Sequence, residues 1–288
     1  MDNVNDFFAT LSSCLWGWPM IVLLLGTHVF LTIRLRFPQR KLFTAIRLSV
    51  QRDKSQKGDV SQFGALATAL AATIGTGNII GVATAVALGG PGAVFWCWLT
   101  GVFGISTKYS EALLAIKYRV KSEKGHMLGG PMYTLERGLG WRKMGILFAV
   151  FTAIAAFGIG CTVQANAIST IIHASYGIST SVSGAVLMLL AAAVILGGVR
   201  SISKVCSMLV PFMALLYVLG CIYILCMNVV YVVPALKLIV NSAFSPEAAG
   251  GGLAGGSVIM AARYGIARGL FSNESGLGSA PIVAAAAR

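Results

Sequence analysis

The sequence predicts an all-α, polytopic membrane protein laid out as an inverted repeat of five-helix units. Its 288 residues are 57% hydrophobic and 11% charged, with a mean hydropathy of +0.81. That balance belongs to membrane chains and not to soluble domains. Apolar runs of about 20 residues, the length of a helical span, recur along the whole chain. Two of them are interrupted by small polar residues, at Gly75-Thr76-Gly77-Asn78 and at Phe271-Ser272-Asn273-Glu274-Ser275-Gly276. Lipid offers no hydrogen bonds, so unwound backbone at that depth must be satisfied by protein or by a polar cavity.

Spans are expected near residues 14–33, 63–88, 93–116, 144–172, 182–199 and 207–230, and a seventh begins near 253. The first 13 residues lack a basic region and the apolar run after them is a full span long, which argues for a retained helix and against a cleaved signal peptide. The formal charge of +13 points to nucleic acid until the basic residues are located. They cluster between positions 34 and 57, between 108 and 143, and at Arg200 and Lys204, which are alternate loops. By the positive-inside rule those segments are cytoplasmic, and the N-terminus with Asp2 and Asp6 lies outside. The charge is therefore an orientation signal, and no nucleic-acid partner is expected. Residues 34–57 are expected to lie as a basic helix against anionic lipid, with Phe37, Leu42, Phe43 and Ile46 on the apolar side. Residues 129–133 read as a turn before a short amphipathic helix at 133–139, and residues 231–250 as an outer segment able to cap a site.

Counted from cytoplasmic Asp59, the first broken span runs outward, and the second, five helices further on, runs inward. Two antiparallel broken helices at that interval are what an inverted repeat of five-helix units predicts, and many secondary transporters build their site this way. The expected division is 1–61 for an extra N-terminal transmembrane helix with its basic cytoplasmic segment, 62–230 for the first five-helix repeat, and 231–288 for an outer loop and the opening of the second repeat. Arg288 follows Ala284-Ala285-Ala286-Ala287 without a turn or cap, so the chain is expected to be truncated inside its seventh span.

Each break has its own chemistry. Gly75 and Gly77 can take backbone angles closed to other residues, while Thr76 and Asn78 supply side-chain oxygens. The helix is expected to restart after Asn78, turning free N–H groups and a positive dipole end toward the gap, a seat for a carboxylate. The carbonyls around Ala71 to Ile74, where the preceding half-helix ends, suit a cation. Residues 268–276 are expected to stay unwound over two turns. Their carbonyls would receive an ammonium group, and Phe271 would form an apolar wall that measures side-chain size. A zwitterion with a small side chain fits both breaks together.

Duller readings stand beside these. Gly77-xxx-Gly81 and Gly265-xxx-Gly269 also read as surfaces for close helix packing. Glu274, a costly carboxylate at membrane depth, reads as a partner of Arg268 or Arg263 before it reads as a cation ligand. Gln164 and Asn166 lie in the fourth span, where a buried amide is commonly interhelical glue; Gln164 ranks as the better site member because Asn166 points to another face. Gly81 is one residue too far from Gly77 for a dinucleotide fingerprint, and no nucleophile-elbow or Walker motif occurs. The six cysteines, Cys14, Cys97, Cys161, Cys206, Cys221 and Cys226, carry no paired spacing and read as small apolar filler. No enzyme activity, no cofactor and no metal beyond a coupling cation is expected.

The stretches 75–96 (GTGNIIGVATAVALGGPGAVFW), 129–140 (GGPMYTLERGLG), 163–168 (VQANAI) and 269–281 (GLFSNESGLGSAP) resemble the alanine/glycine:cation symporters, a branch of the amino acid/polyamine/organocation transporters. The resemblance covers essentially the whole chain. It implies a LeuT-like fold, of which the first repeat and the first helix of the second are present. It also implies symport of alanine or glycine with sodium by alternating access, in the cytoplasmic (inner) membrane. Thr76, Gly77 and Asn78 with Gln164, Phe271, Ser272, Asn273 and Gly276 would line the substrate site, and carbonyls of Ala71 and Ile74 would form half of a sodium site. The alternatives are the same architecture with another amino acid or with proton coupling, and a non-transporting membrane scaffold.

Overall fold

A computed structural model describes residues 2–51, 58–244 and 258–287. It is mostly helical. Helix α1 (Asp2–Leu15) and α2 (Trp18–Arg34) are followed by a 3-10 turn (Pro38–Lys41), α3 (Leu42–Val50) and α4 (Gln62–Thr73). A π-helical turn (Gly77–Gly81) leads into α5 (Val82–Gly89) and then α6 (Gly92–Lys117). A two-stranded antiparallel hairpin, β1 (Val120–Lys121) and β2 (Met127–Leu128), precedes α7 (Pro131–Leu139) and α8 (Arg142–Ala155). After a second π-helical stretch (Ala156–Thr162) come α9 (Val163–Tyr176), α10 (Thr180–Ile195), α11 (Gly198–Met227), α12 (Val229–Phe244), α13 (Val258–Asn273) and α14 (Ala280–Ala285).

Among the described residues two helices, Arg142–Tyr176 and Gly198–Met227, are long and apolar enough to cross a membrane; counting each bent pair, Trp18–Arg34 with Pro38–Val50 and Gln62–Thr73 with Gly77–Gly89, as one span raises this to four. Helices α10 and α12 are apolar but only 16 residues each. In the two long helices 0% and 6% of the most apolar window is buried. Phe151, Ile154, Phe212 and Leu216 all stand exposed. Apolar helices with bare apolar sides are the reverse of a soluble core, and mark a multi-pass membrane protein whose outer solvent is lipid.

The structure corrects several expected boundaries. The first span is not one run over 14–33 but two helices separated at Trp16 and Gly17. Gly17, extended at ψ −168°, precedes a helix with proline in its first turn, where the missing N–H costs nothing. The sixth span starts at Gly198, so Arg200 and Lys204 are helical and not loop residues. Much of the expected outer segment is the apolar helix α12, and residues 245–257, which include the expected start of the seventh span, lie outside the described residues. Residues 42–50 form α3, with Leu42, Phe43 and Ile46 exposed; residues 52–57 of the basic segment are outside the described set.

The chain forms two compact units. The first comprises Met1–Leu42, Gly77–Ser110 and Val218–Leu277. Its core is where α2 meets α13, through Ile21 and Leu24 against Ala262, Ile266 and Leu270. Helix α13 also lies close on α6: a Cβ at Gly265 would strike the Ala93 carbonyl and Trp96, and one at Gly269 would strike Thr100. The Gly265-xxx-Gly269 pair is thus a packing surface. A polar seam joins α2 to α6, with Thr32 Oγ1 and Ser106 Oγ 2.8 Å apart and Thr107 Oγ1 2.8 Å from His28 Nδ1. Gln39 Nε2 adds donations to Ser106 Oγ and the Val102 carbonyl, both at 3.0 Å.

The second unit comprises Phe43–Thr76, Glu111–Tyr217 and Gly278–Arg288. Ser61 caps α4, its hydroxyl accepting from the Gly64 N–H at 3.0 Å. Val60 and Ala65 pack with Ala286. The Asp59 and Val60 N–H groups both donate to the Ala286 carbonyl, at 2.9 and 3.2 Å. Arg119 Nη1 grips the same strap through the Ala285 and Ala287 carbonyls, at 3.1 and 2.7 Å. Helix α7 pairs with α8, where Gly145 sits against the Met132 carbonyl, and α9 pairs with α10.

Candidate functional site

The first break is sharp. Helix α4 ends at Thr73, Ile74 adopts φ −86° and ψ 87°, and the axis turns by 45° before the chain resumes. Its last backbone bond inside the turn is Ile74 N–H to the Leu70 carbonyl at 2.7 Å. The carbonyl of Ala71 belongs to the final turn, where an α-helix has no further N–H to offer. The restart comes earlier than the sequence suggested. Asn78 is not the last unwound residue but the second of the π-helical turn Gly77–Gly81. A π turn takes up an extra residue, which lets the chain regain helical hydrogen bonding at once after Gly75.

Gln164, the first-turn residue of α9, meets this break within the second unit. Its Oε1 accepts from Thr76 Oγ1 at 2.5 Å and from the Thr76 N–H at 3.4 Å. Its Nε2 lies 3.2 Å from where a Cβ on Gly75 would stand, so any larger residue at 75 would push the amide away. An amide oxygen therefore sits where the free N–H and hydroxyl of a restarting helix seek an acceptor. Asn166, two positions on, is exposed. The π-helical stretch Ala156–Thr162 directly precedes Gln164 and sets the angular position of α9. Its sequence signal was present in Gly158 and Gly160 but has no period that separates π from α.

The second break departs more from expectation. Residues 268–273 are not unwound: α13 continues helically through Arg268, Phe271 and Ser272 to Asn273. Unwinding is confined to residues 274–279, with Glu274 at φ 50°, Gly276 at φ 85° and Gly278 at φ 77°. Leu270 is fully buried and Gly269 lies tightly on α6, so packing along α13 holds residues 268–273 helical. The first left-handed residue, Glu274, is where the helix fails.

Within the first unit Phe271 reaches the restarting helix. Its Cε1 lies 3.4 Å from the Cβ that Gly77 lacks, so a methyl group at 77 would stand in direct van der Waals contact with the ring. Asn273 faces Gly101, 3.6 Å from the corresponding missing Cβ, and its Nδ2 is buried without a partner among the described residues. The Asn273 carbonyl accepts from Lys108 Nζ at 2.9 Å. Ser272 is half-buried and Gly276 exposed; a Cβ at Gly276 would come within 3.0 Å of Leu24 Cδ2. The sequence reading missed Lys108, grouping it with the cytoplasmic basic residues. Its position well inside α6, directly after the buried Ser106 and Thr107, was the available signal.

No cluster of three His, Cys, Asp or Glu side chains able to hold a metal occurs among the described residues. A cavity of about 620 Å³ in the second unit is lined by Asp59, His126, Tyr133, Arg200 and apolar neighbours, and holds none of the candidate substrate or cation residues. Asp59 there accepts from the Met127 N–H at 2.7 Å and faces His126 and Arg200 at 3.5 and 3.8 Å.

Comparison with known proteins accords with this framework. The model of the sodium:alanine symporter family matches residues 1–288. An uncharacterized transporter of Haemophilus influenzae is 52% identical over 288 residues, 99% of this chain and 63% of the relative. The sodium/alanine symporter AgcS of Methanococcus maripaludis is 52% identical over 286 residues, 97% of this chain and 62% of the relative. A putative sodium/proton-dependent alanine carrier protein of Bacillus subtilis, YrbD, is 43% identical over 282 residues, 98% of this chain and 57% of the relative. The chain thus spans less than two thirds of the length of these relatives, and the family they define is one of transporters and not of enzymes. With its whole length matched and the residue strings of both breaks inside that match, the chain belongs to the sodium:alanine symporter family.

Proposed function

We propose that the protein carrying this chain is a secondary active transporter that moves a small neutral amino acid, alanine or glycine, together with sodium by alternating access. The observation that carries this is the pair of donors on Thr76, N–H and hydroxyl, presented at a helix restart to a single side-chain oxygen, that of Gln164. A carboxylate competes for the same donors with a full negative charge and a charge-assisted bond. Gln164 then turns its amide, offering Nε2 in place of Oε1. The substrate contacts proposed are Thr76, Gly77, Asn78, Gln164, Phe271, Ser272, Asn273 and Gly276. The contact of Phe271 with Gly77 supports a wall that restricts the cargo to a small side chain. The carbonyls of Ala71 and Ile74 at the end of α4 are the proposed half-site for sodium.

The same reading assigns a LeuT-like fold, with residues 62–230 as one five-helix repeat, 231–288 as the opening of its inverted counterpart, and 1–61 as an added helix and basic segment. It places the protein in the cytoplasmic membrane with the N-terminus outside. A monovalent cation moving down 100 mV supplies about 2.3 kcal/mol, sufficient for roughly fifty-fold accumulation of cargo.

The test is uptake of labelled alanine by the full-length protein in proteoliposomes, with sodium replaced by potassium. Loss of uptake is expected; undiminished uptake overturns sodium coupling. The word "proton" in the name of the YrbD relative motivates a second arm. Uptake driven by a pH gradient in the absence of sodium would replace sodium with protons in this reading.

A further inference from the structure

Position 108 lies about 24 Å along α6 from Gly92 at 1.5 Å per residue. A lysine at such a place ordinarily extends its stem until the ammonium reaches the interface. Here Nζ instead donates to a main-chain carbonyl, that of Asn273, at 2.9 Å. The acceptor is special because of where it sits. Asn273 is the last residue of α13, and the next residue, Glu274, is left-handed at φ 50°. The final carbonyls of a helix have no intrahelical donors and carry the negative end of its dipole. A carbonyl end without intrahelical donors is what a dehydrated cation seeks, as proposed above for the end of α4.

The two ends differ in that one already holds a cation covalently attached to the protein. Lys108 is kept in place by its neighbours: Ser106 and Thr107 fasten the same turn of α6 to Thr32 and His28 of α2, and Gly101, about two turns earlier, leaves room for the Asn273 side chain. We propose that Lys108 is a built-in counter-cation of the second break. Its ammonium fills the carbonyl end of α13, so that an external cation has no seat there and coupling is confined to the first break. Lys108 is a positioning residue in this scheme and touches neither cargo nor sodium. The proposal deepens the transport reading and rests on it for its meaning, but its first measurement does not depend on transport.

The experiment uses the full-length protein in three forms: parent, Lys108→Arg and Lys108→Met. Thermal unfolding is followed while sodium replaces N-methylglucamine at constant ionic strength. Lys108→Met is expected to gain a second saturable cation-dependent stabilisation, beyond the one that the first break gives the parent and Lys108→Arg alike, because the vacated carbonyl end now binds sodium. In uptake assays the Hill coefficient for sodium is expected to rise by about one in Lys108→Met and to stay at the parent value in Lys108→Arg. Identical cation dependence in Lys108→Met and parent overturns the proposal. Should Lys108→Met fail to fold, amine acylation of the parent decides instead. Lys108 is expected to react roughly tenfold more slowly than exposed Lys143, since the held amine must first open, and to do so equally with and without sodium. Acylation of Lys108 that keeps pace with Lys143, or that sodium accelerates, overturns it. A parent without sodium-dependent uptake, alongside a Lys108→Met variant that gains cation stabilisation, would sink the transport reading and leave the Lys108 assignment standing.

Discussion

The two breaks interrupt their helices by different devices. The first, between α4 and the π-helical turn at Gly77–Gly81, is a bend of 45° whose exposed donors are met by a side chain from a distant helix, Gln164. The second, at residues 274–279, is made by the backbone itself, with left-handed angles at Glu274, Gly276 and Gly278 and an ammonium on the last helical carbonyl. One break is held by a side-chain oxygen, which the proposed function has a ligand displace. The other is held by main-chain geometry and a covalently attached charge, neither of which leaves. A polar interruption in an apolar run thus specifies where a helix weakens, while its neighbours decide how the break is held.

The largest expected effect tests the second break. Gly269→Val drives two methyl groups into Thr100 and the backbone at Cys97. A loss of about 1–3 kcal/mol, the usual cost of overpacking, should appear as a lowered unfolding temperature, with Gly158→Ala, which meets nothing within 4 Å, as the neutral control. If Gly269→Val melts like the parent, α13 is not held by α6 and the second break is not rigid. Next is Gln164→Ala, which removes the oxygen at 2.5 Å from Thr76 Oγ1. An alanine isotherm should weaken about tenfold, the equivalent of roughly 1.4 kcal/mol for one good hydrogen bond, with the unfolding temperature nearly unchanged. Equal affinity would mean that the first break is as closed to ligand as the second.

Gly276→Ala places a Cβ on a residue at φ 85° and within 3.0 Å of Leu24 Cδ2. A destabilisation of about 1–2 kcal/mol is expected from the left-handed angle, read by thermal unfolding, whereas Gly75→Ala should move the alanine isotherm through Gln164 more than it moves the melt. The smallest effect is Ser61→Ala, which deletes the cap at the start of α4. It should cost about 1 kcal/mol and leave the alanine isotherm alone. A shift in binding instead would show that the first break responds to the far end of its half-helix.

Much of this was legible from residues alone. The apolar runs and the polar interruptions follow from what lipid forbids, and lipid acts on each segment separately. Gly265 and Gly269 read as a packing surface because their spacing places both on one helical face. Other features were not legible because they depend on what lies across from a residue. Phe271 and Ser272 look like coil in sequence, yet burial of Leu270 and the contact at Gly269 keep them helical. Arg200 and Lys204 look like loop charges, yet they sit in the first turns of α11, where exposed side chains cost little.

The sequence by itself determined that this is a membrane chain with two weakened helices, because hydropathy and glycine placement are local properties that need no partner. Only the tertiary structure decided that Thr76 is answered by Gln164, 88 positions away, and that Asn273 is answered by Lys108, 165 positions away. A hydrogen bond between distant residues exists only once the intervening helices have packed, and no local pattern of residues encodes its partner.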